Sequence, residues 1–264
     1  MPVIMENVSP SAPHPAPVRA LSPGAALGWM ARGWRDCLAS PGLSVLHGAA
    51  FLLGGLAIGV IGHGRQSLLA GAFSGFLLVA PLLSAGLYAL SRQREAGLAP
   101  SVATVVAAWR GARAALWRLG LLLAVLGSLW VALSALIVVG WAGVRGGGVL
   151  PFLRDFVLAP DWRPFAVWLF AGGLFAALVF AIGAVSVPML LDRQVGVRFA
   201  LLTSARAVGS NPAAMLLWAA IVMVTVLVSL ALVLPMLVLI PVLGHATWHA
   251  YRDSVEAGDL PARP

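Results

Sequence analysis

This chain has no lysine, a single cysteine and few charges of either sign: only 10% of its 264 residues are charged. One cysteine, Cys37, excludes an intramolecular disulfide and a cysteine-built metal cage. Scarce charge excludes a water-soluble globule, because with 61% hydrophobic residues and a mean hydropathy of +0.96 there is too little polar surface to cover one. A dense basic cluster is missing too. The formal net charge of +8 comes from arginines dispersed between apolar runs, which read as topology signals and exclude a nucleic-acid surface. There is no G-x-S-x-G, no phosphate-binding glycine loop with lysine, no H-E-x-x-H and no paired carboxylate within an apolar run, so the reading leans away from an enzyme. No apolar run carries a charge near its middle, which argues against an ion-coupled transporter of the usual kind. The N-terminus lacks a basic region followed by an apolar core, so no signal peptide is expected. Residues 1–22, with Pro10, Pro13, Pro15 and Pro17, are expected to form a disordered cytoplasmic tail.

What the chain does have is length without charge. Intervals free of Asp, Glu, Lys and Arg run over 37–64, 66–91, 119–144, 164–191 and 207–251. A hydrocarbon core of about 30 Å takes about 20 helical residues, so the first four intervals hold one helix each. The 45 residues from Ala207 to Tyr251 would reach about 68 Å as one helix and must turn back, with Pro235 as the breaker. Spans are predicted at 43–62, 66–90, 117–142, 165–190, 212–233 and 237–251. The fold class is thus all-α, a polytopic transmembrane helical bundle of about six spans in three hairpins. It occupies 23–252 as one domain, with a short cytoplasmic C-terminal tail at 253–264.

On this layout 13 of the 17 arginines share the side of both termini, and Arg65, Arg145, Arg154 and Arg163 lie opposite. Positive charge is retained in the cytoplasm, so the termini are predicted to be cytoplasmic, in a bacterial inner membrane. Gly62-His63-Gly64 turns the first hairpin. The apolar run Val149 to Leu158 is too short to cross and is expected in the interface, with Trp141, Trp162 and Trp168 as an aromatic belt. Asp155 and Asp161 read as solvated loop partners of Arg154 and Arg163.

An internal repeat appears once spans are paired. Before each hairpin sits an amphipathic stretch expected to lie along the cytoplasmic membrane surface. In the first, Leu27, Met30, Trp34 and Leu38 oppose Arg32, Arg35 and Asp36. In the second, Val102, Val105, Val106 and Trp109 oppose Arg110 and Arg113, and in the third Leu201, Ala205 and Val208 oppose Arg198 and Arg206. Two hairpins close alike, from Pro81 through Tyr88 to Arg92 and from Pro241 through Trp248 to Arg252, across the same eleven-residue offset.

Four segments carry a resemblance: Gly33-Trp34-Arg35-Asp36 with Pro41; Pro81 to Arg94; Val185 to Arg193; and Pro241-Val-Leu-Gly-His-Ala-Thr-Trp-His-Ala-Tyr-Arg252, the most specific. Over roughly 25–252 the chain resembles a family of uncharacterised bacterial inner-membrane proteins built on a domain of unknown function. The resemblance implies a six-span membrane protein without an established activity. Members of that family are sometimes labelled similar to cytochrome c oxidase subunit I. This chain has half the spans that subunit needs, and its five histidines are too few for the ligand set.

His245 and His249, four residues apart, share one helical face and could offer two nitrogens to a metal or haem, with His47 at similar depth. Tyr88, Asp192, Trp248 and Arg252 fall near the same level, so an inner-leaflet polar cluster is geometrically open. The plainer reading is an interfacial belt bonded to headgroups, water or neighbouring helices, with Asp192-Arg193 a solvated helix end. His63 reads as a turn residue and His14 as part of the tail. Gly55-x-x-x-Gly59, Gly71-x-x-x-Gly75 and Gly172-Gly173 read as close-packing surfaces, within the chain or across a homo-oligomer. Three functions stay open: a non-enzymatic scaffold, assembly or regulatory subunit with a membrane-protein partner; a metal- or haem-handling protein using His245, His249 and His47; and a small-solute channel or transporter. The lipid bilayer is the surrounding partner in all three.

Overall fold

The computed structural model describes residues 15–62, 83–144 and 152–263. Among these the regular secondary structure is all helix, apart from two isolated antiparallel bridges. The helices are α1 (Ala25–Ala39), α2 (Pro41–Gly62), α3 (83–95), α4 (Val102–Ala135, continued as a π-helix over Leu136–Trp141), α5 (Arg163–Gly183), α6 (Ser186–Asp192), α7 (Val197–Ser210), α8 (Pro212–Leu232) and α9 (Met236–Ser254).

Proline sets two matching joints. Ser40 (φ −136°, ψ 58°) ends α1 because the residue before a proline is pushed out of the helical region, and Pro41 opens α2, where its missing N–H costs nothing. Asn211 (φ −131°, ψ 54°) and Pro212 repeat the joint between α7 and α8. Each joint places an amphipathic helix before an apolar one, as the first and third repeats predict. The second repeat differs. Nothing between Arg113 and Trp117 breaks a helix, and alanine, leucine and arginine favour one, so the expected surface stretch and the following span are continuous from Val102 to Trp141. Those 40 residues measure about 60 Å, twice a hydrocarbon core of about 30 Å.

Among the described residues four stretches are long and apolar enough to cross a membrane: Pro41–Val60, Val102–Trp141, Arg163–Asp192 and Pro212–Leu232. They coincide with four of the six predicted spans. The span predicted at 66–90 lies mostly outside the described residues, as do the turn at His63 and the Gly71-Gly75 spacing. The span predicted at 237–251 is α9, helical throughout but not apolar enough along its length, since His245, His249, Arg252 and Asp253 fill its second half. The corner before it falls at Val233–Pro235, as the sequence predicts, with Val233 in the left-handed region at φ 59°.

Along the crossing stretches the side chains point outward. Leu53, Leu121, Leu136, Phe170, Leu174 and Leu230 are each more than half exposed, an arrangement that in water would forgo roughly 1.5–3 kcal/mol per side chain. Lipid removes that cost. The buried core lies instead toward the termini, where Trp29, Trp218, Leu116, Leu119, Met189, Leu190, Trp248 and Tyr251 pack. Trp29 and Trp218 meet edge to face at 5.7 Å. A smaller cluster joins Ile137, Val144 and Phe156, with Phe165 and Trp168 against it. Trp168 thus turns inward and donates to Ser134 Oγ at 2.7 Å, whereas Trp141 and Trp162 stay exposed. Arg154–Asp155 and Arg163–Asp161 form the expected exposed loop pairs, at 2.7 and 2.8 Å.

Both terminal segments are fastened to this core. The stretch from Pro15 to Ser22, which the sequence reading puts in the disordered tail, is held: Ala16 N–H donates to Thr203 Oγ1 (3.0 Å), Val18 pairs with Val255, and Asn211 bonds Leu21 N–H and Arg19 C=O. At the other end Ala262 pairs with Arg193, and the Arg263 guanidinium donates to the carbonyls of Leu190 (3.0 Å), Gly111 (2.6 Å) and Arg193 (3.3 Å). It ties the end of α6 to α4. Arg263→Ala is expected to cost about 1–2 kcal/mol, as loss of charge-assisted bonds does. The check is earlier proteolytic trimming of the C-terminal segment and a lower unfolding midpoint in detergent; an unchanged cleavage rate would contradict the clip.

Candidate functional site

The face that α1 turns inward consists of Ala26, Trp29, Gly33, Asp36 and Cys37, while Leu27, Trp34 and Leu38 point away from the protein. Asp36, assigned by the sequence to the polar face with Arg32 and Arg35, is therefore buried. Gly33 explains why. A Cβ there would stand 2.6 Å from Ala246 N and Val242 O, so only a glycine lets α1 lie this close to α9. One turn further along each helix, Asp36 and His249 come into hydrogen-bond range.

Asp36 accepts three bonds: from Ser91 Oγ (2.7 Å) and His249 Nε2 (2.8 Å) on Oδ2, and from Arg94 Nη1 (2.8 Å) on Oδ1. Burial pushes this carboxyl up, but the bonds from His249 and Ser91 outweigh it and hold the group below its ordinary value. Because Ser91 gives its proton to Asp36, His245 Nδ1–H must donate to Ser91 Oγ (2.8 Å), leaving Nε2 to accept from Ser44 Oγ (3.0 Å). The chain Ser44, His245, Ser91, Asp36, His249 thus links α2, α9, α3 and α1. Ser44 and His245 pair like a nucleophile and its base, and both are fully buried. Cys37 is buried beside this network, and burial raises its thiol above the ordinary value.

His47, the third predicted ligand, donates from Nδ1 to Leu43 C=O at 2.7 Å and packs 6.4 Å from Trp109. Among the described residues its Nε2 and the Trp109 indole N–H have no hydrogen-bond partner. Among the described residues no group of three or more His, Cys, Asp or Glu is placed to hold a metal ion. Both nitrogens of His245 are engaged by hydroxyls, Ser44 on α2 and Ser91 on α3.

The predicted polar cluster divides into two. Asp192 accepts from Tyr251 OH (2.8 Å) and Arg193 Nε (2.9 Å). Separately, Glu95 accepts from Trp248 Nε1 (2.9 Å) and Arg252 Nε (3.1 Å), with Arg252 above the Trp248 ring. Tyr88 lies apart from both, beside Ser84 and Thr247. The two segments that the sequence pairs as repeats, through Tyr88 and through Trp248, lie side by side, Leu87 filling the space over Gly244. Sequence reasoning missed Ser44, Ser91, Arg94, Glu95 and Asp253. The usable signal was Glu95 and Arg94 standing just after a charge-free interval.

Arg32, Arg35, Asp36, Ser91, Arg94, Glu95 and His249 line a cleft of about 220 Å³ between α1, α3 and α9. Arg32 pairs with Asp253, which also accepts from Trp29 Nε1 at 2.8 Å. Among the described residues the buried Nε–H of Arg32 has no acceptor.

Residues 68–192, just under half of the chain, match the model of the family described as "Predicted integral membrane protein (DUF2189)", a domain of unknown function. The match takes in α3 to α6, and with them Ser91, Arg94, Glu95 and Asp192. It stops short of α1, α2 and α9, which carry Asp36, Ser44, His245 and His249, and so covers two of the four resembling segments. Searches of the curated proteins and of the solved structures return no match. With its outward apolar helices, the chain is an integral membrane protein of unknown function whose surroundings include lipid.

Proposed function

We propose that this protein is a non-enzymatic scaffold or regulatory subunit of a bacterial inner membrane, with both termini in the cytoplasm. The observation that carries the reading is the closed bonding of Asp36, Ser44, Ser91 and His245. The donors and acceptors that a reaction would need are used to hold four helices in register. Outward apolar side chains on α2, α4, α5 and α8 meanwhile offer surface to lipid and to another membrane helix. The arginine bias supports the orientation.

Gentle extraction from the native membrane, followed by measurement of particle mass and composition, tests the role. The expected result is a stoichiometric membrane partner or self-association, and a lone monomer overturns the proposal. A reporter inserted between α3 and α4 should read cytoplasmic, and a periplasmic signal would invert the layout.

A further inference from the structure

We propose that the cleft between α1, α3 and α9 holds the phosphate of an anionic phospholipid headgroup. This goes beyond the scaffold reading and does not depend on it.

Charge accounting points to an anion. Every carboxylate at the cleft is already matched by one arginine, Asp36 by Arg94, Glu95 by Arg252 and Asp253 by Arg32, with His249 entering the count as a neutral hydrogen-bond donor. Arg35 is exposed, and no ion pair or hydrogen bond holds its guanidinium among the described residues. The cleft therefore presents one uncompensated positive charge, which equals the single negative charge of a phosphodiester. A guanidinium fork suits phosphate oxygens, two N–H groups meeting two oxygens in a plane. The volume of about 220 Å³ is several times the roughly 30 Å³ share of one water, so it admits a phosphate group. The source follows from the same helix. Trp34 and Leu38 flank Arg35 and stand exposed, with Leu27 further along the same outward face. An amphipathic helix of this kind lies at headgroup depth, with tryptophan at the interface. A phosphodiester there belongs to a lipid, whose acyl chain can run along Leu38 and Trp34.

The test uses the full chain in neutral detergent, with native mass spectrometry and thermal unfolding during titration with phosphatidylglycerol, phosphatidylcholine or inorganic phosphate. The wild type is expected to retain one phosphatidylglycerol at least fivefold better than phosphatidylcholine, whose ammonium cancels the charge. Arg35→Gln, which breaks no bond within the protein, should unfold as the wild type does and lose at least fivefold in retention. Arg113→Gln, an exposed arginine of α4 outside the cleft, should keep it. Equal retention by wild type and Arg35→Gln, equal loss in both variants, or equal retention of the two lipids overturns the site. Stabilisation by inorganic phosphate matching that by phosphatidylglycerol overturns the lipid assignment.

Discussion

Gly33→Ala is expected to destabilise the protein by about 3 kcal/mol, the upper end of what overpacking costs. The added methyl would press on Ala246 N and Val242 O, backbone atoms that cannot swing aside, so α1 must lift from α9. Lifting it also withdraws Asp36 from His249 and Ser91, one turn away. Gly28 on the same helix supplies the control, because among the described residues a Cβ there meets nothing within 4 Å. Gly28→Ala should leave stability unchanged or raise it by up to about 1 kcal/mol through helix propensity. Thermal unfolding in detergent, followed by tryptophan fluorescence, reads both. Equal shifts would mean that the approach of α1 to α9 is not what Gly33 permits.

The same comparison shows where sequence reasoning stops. Gly55 and Gly59 carry the spacing of a packing motif, yet among the described residues a Cβ at either meets nothing within 4 Å; Gly172 does pack as expected, against the Trp130 ring at 2.8 Å, and the close approaches at Gly33, Gly48, Gly86 and Gly244 had no such spacing. Spacing reports which residues share a face, not which face another helix covers. The long apolar helices were legible because charge-free length is a property of one segment; the joints at Pro41 and Pro212 went unread, although proline acts on its immediate neighbour. The i, i+4 spacing of His245 and His249 was also legible, but their use was not. His245 serves hydroxyls on α2 and α3, and His249 serves a carboxylate 213 residues away. Asp36 reads as solvated beside Arg32 and Arg35; its burial depends on a glycine contact with a helix at the other end of the chain. The segment 15–22 looks disordered because extended backbone has no apolar period, and its bonds to Thr203, Asn211 and Ser254 are long-range.

Asp36→Ala is expected to cost about 3 kcal/mol at neutral pH, the lower end for breaking a buried ion pair, since Arg94 keeps partial access to water. The loss comes from what remains: Arg94, His249 and Ser91 keep their protons but lose the acceptor that α1 brought to them. The acid limb of stability tests the same group independently. The folded carboxyl lies below its ordinary 3.8, so its contribution is complete above 3.8 and is lost as pH falls through the lower folded value. The gap in unfolding midpoint between the wild type and Asp36→Asn should therefore stay constant on acidification to pH 3.8 and narrow below it. A double-mutant cycle with His249→Ala should be strongly non-additive, because either change alone already removes the bond between α1 and α9. Additive losses would instead mean that the two side chains stabilise their helices separately, and that the network does not hold the termini-proximal core together.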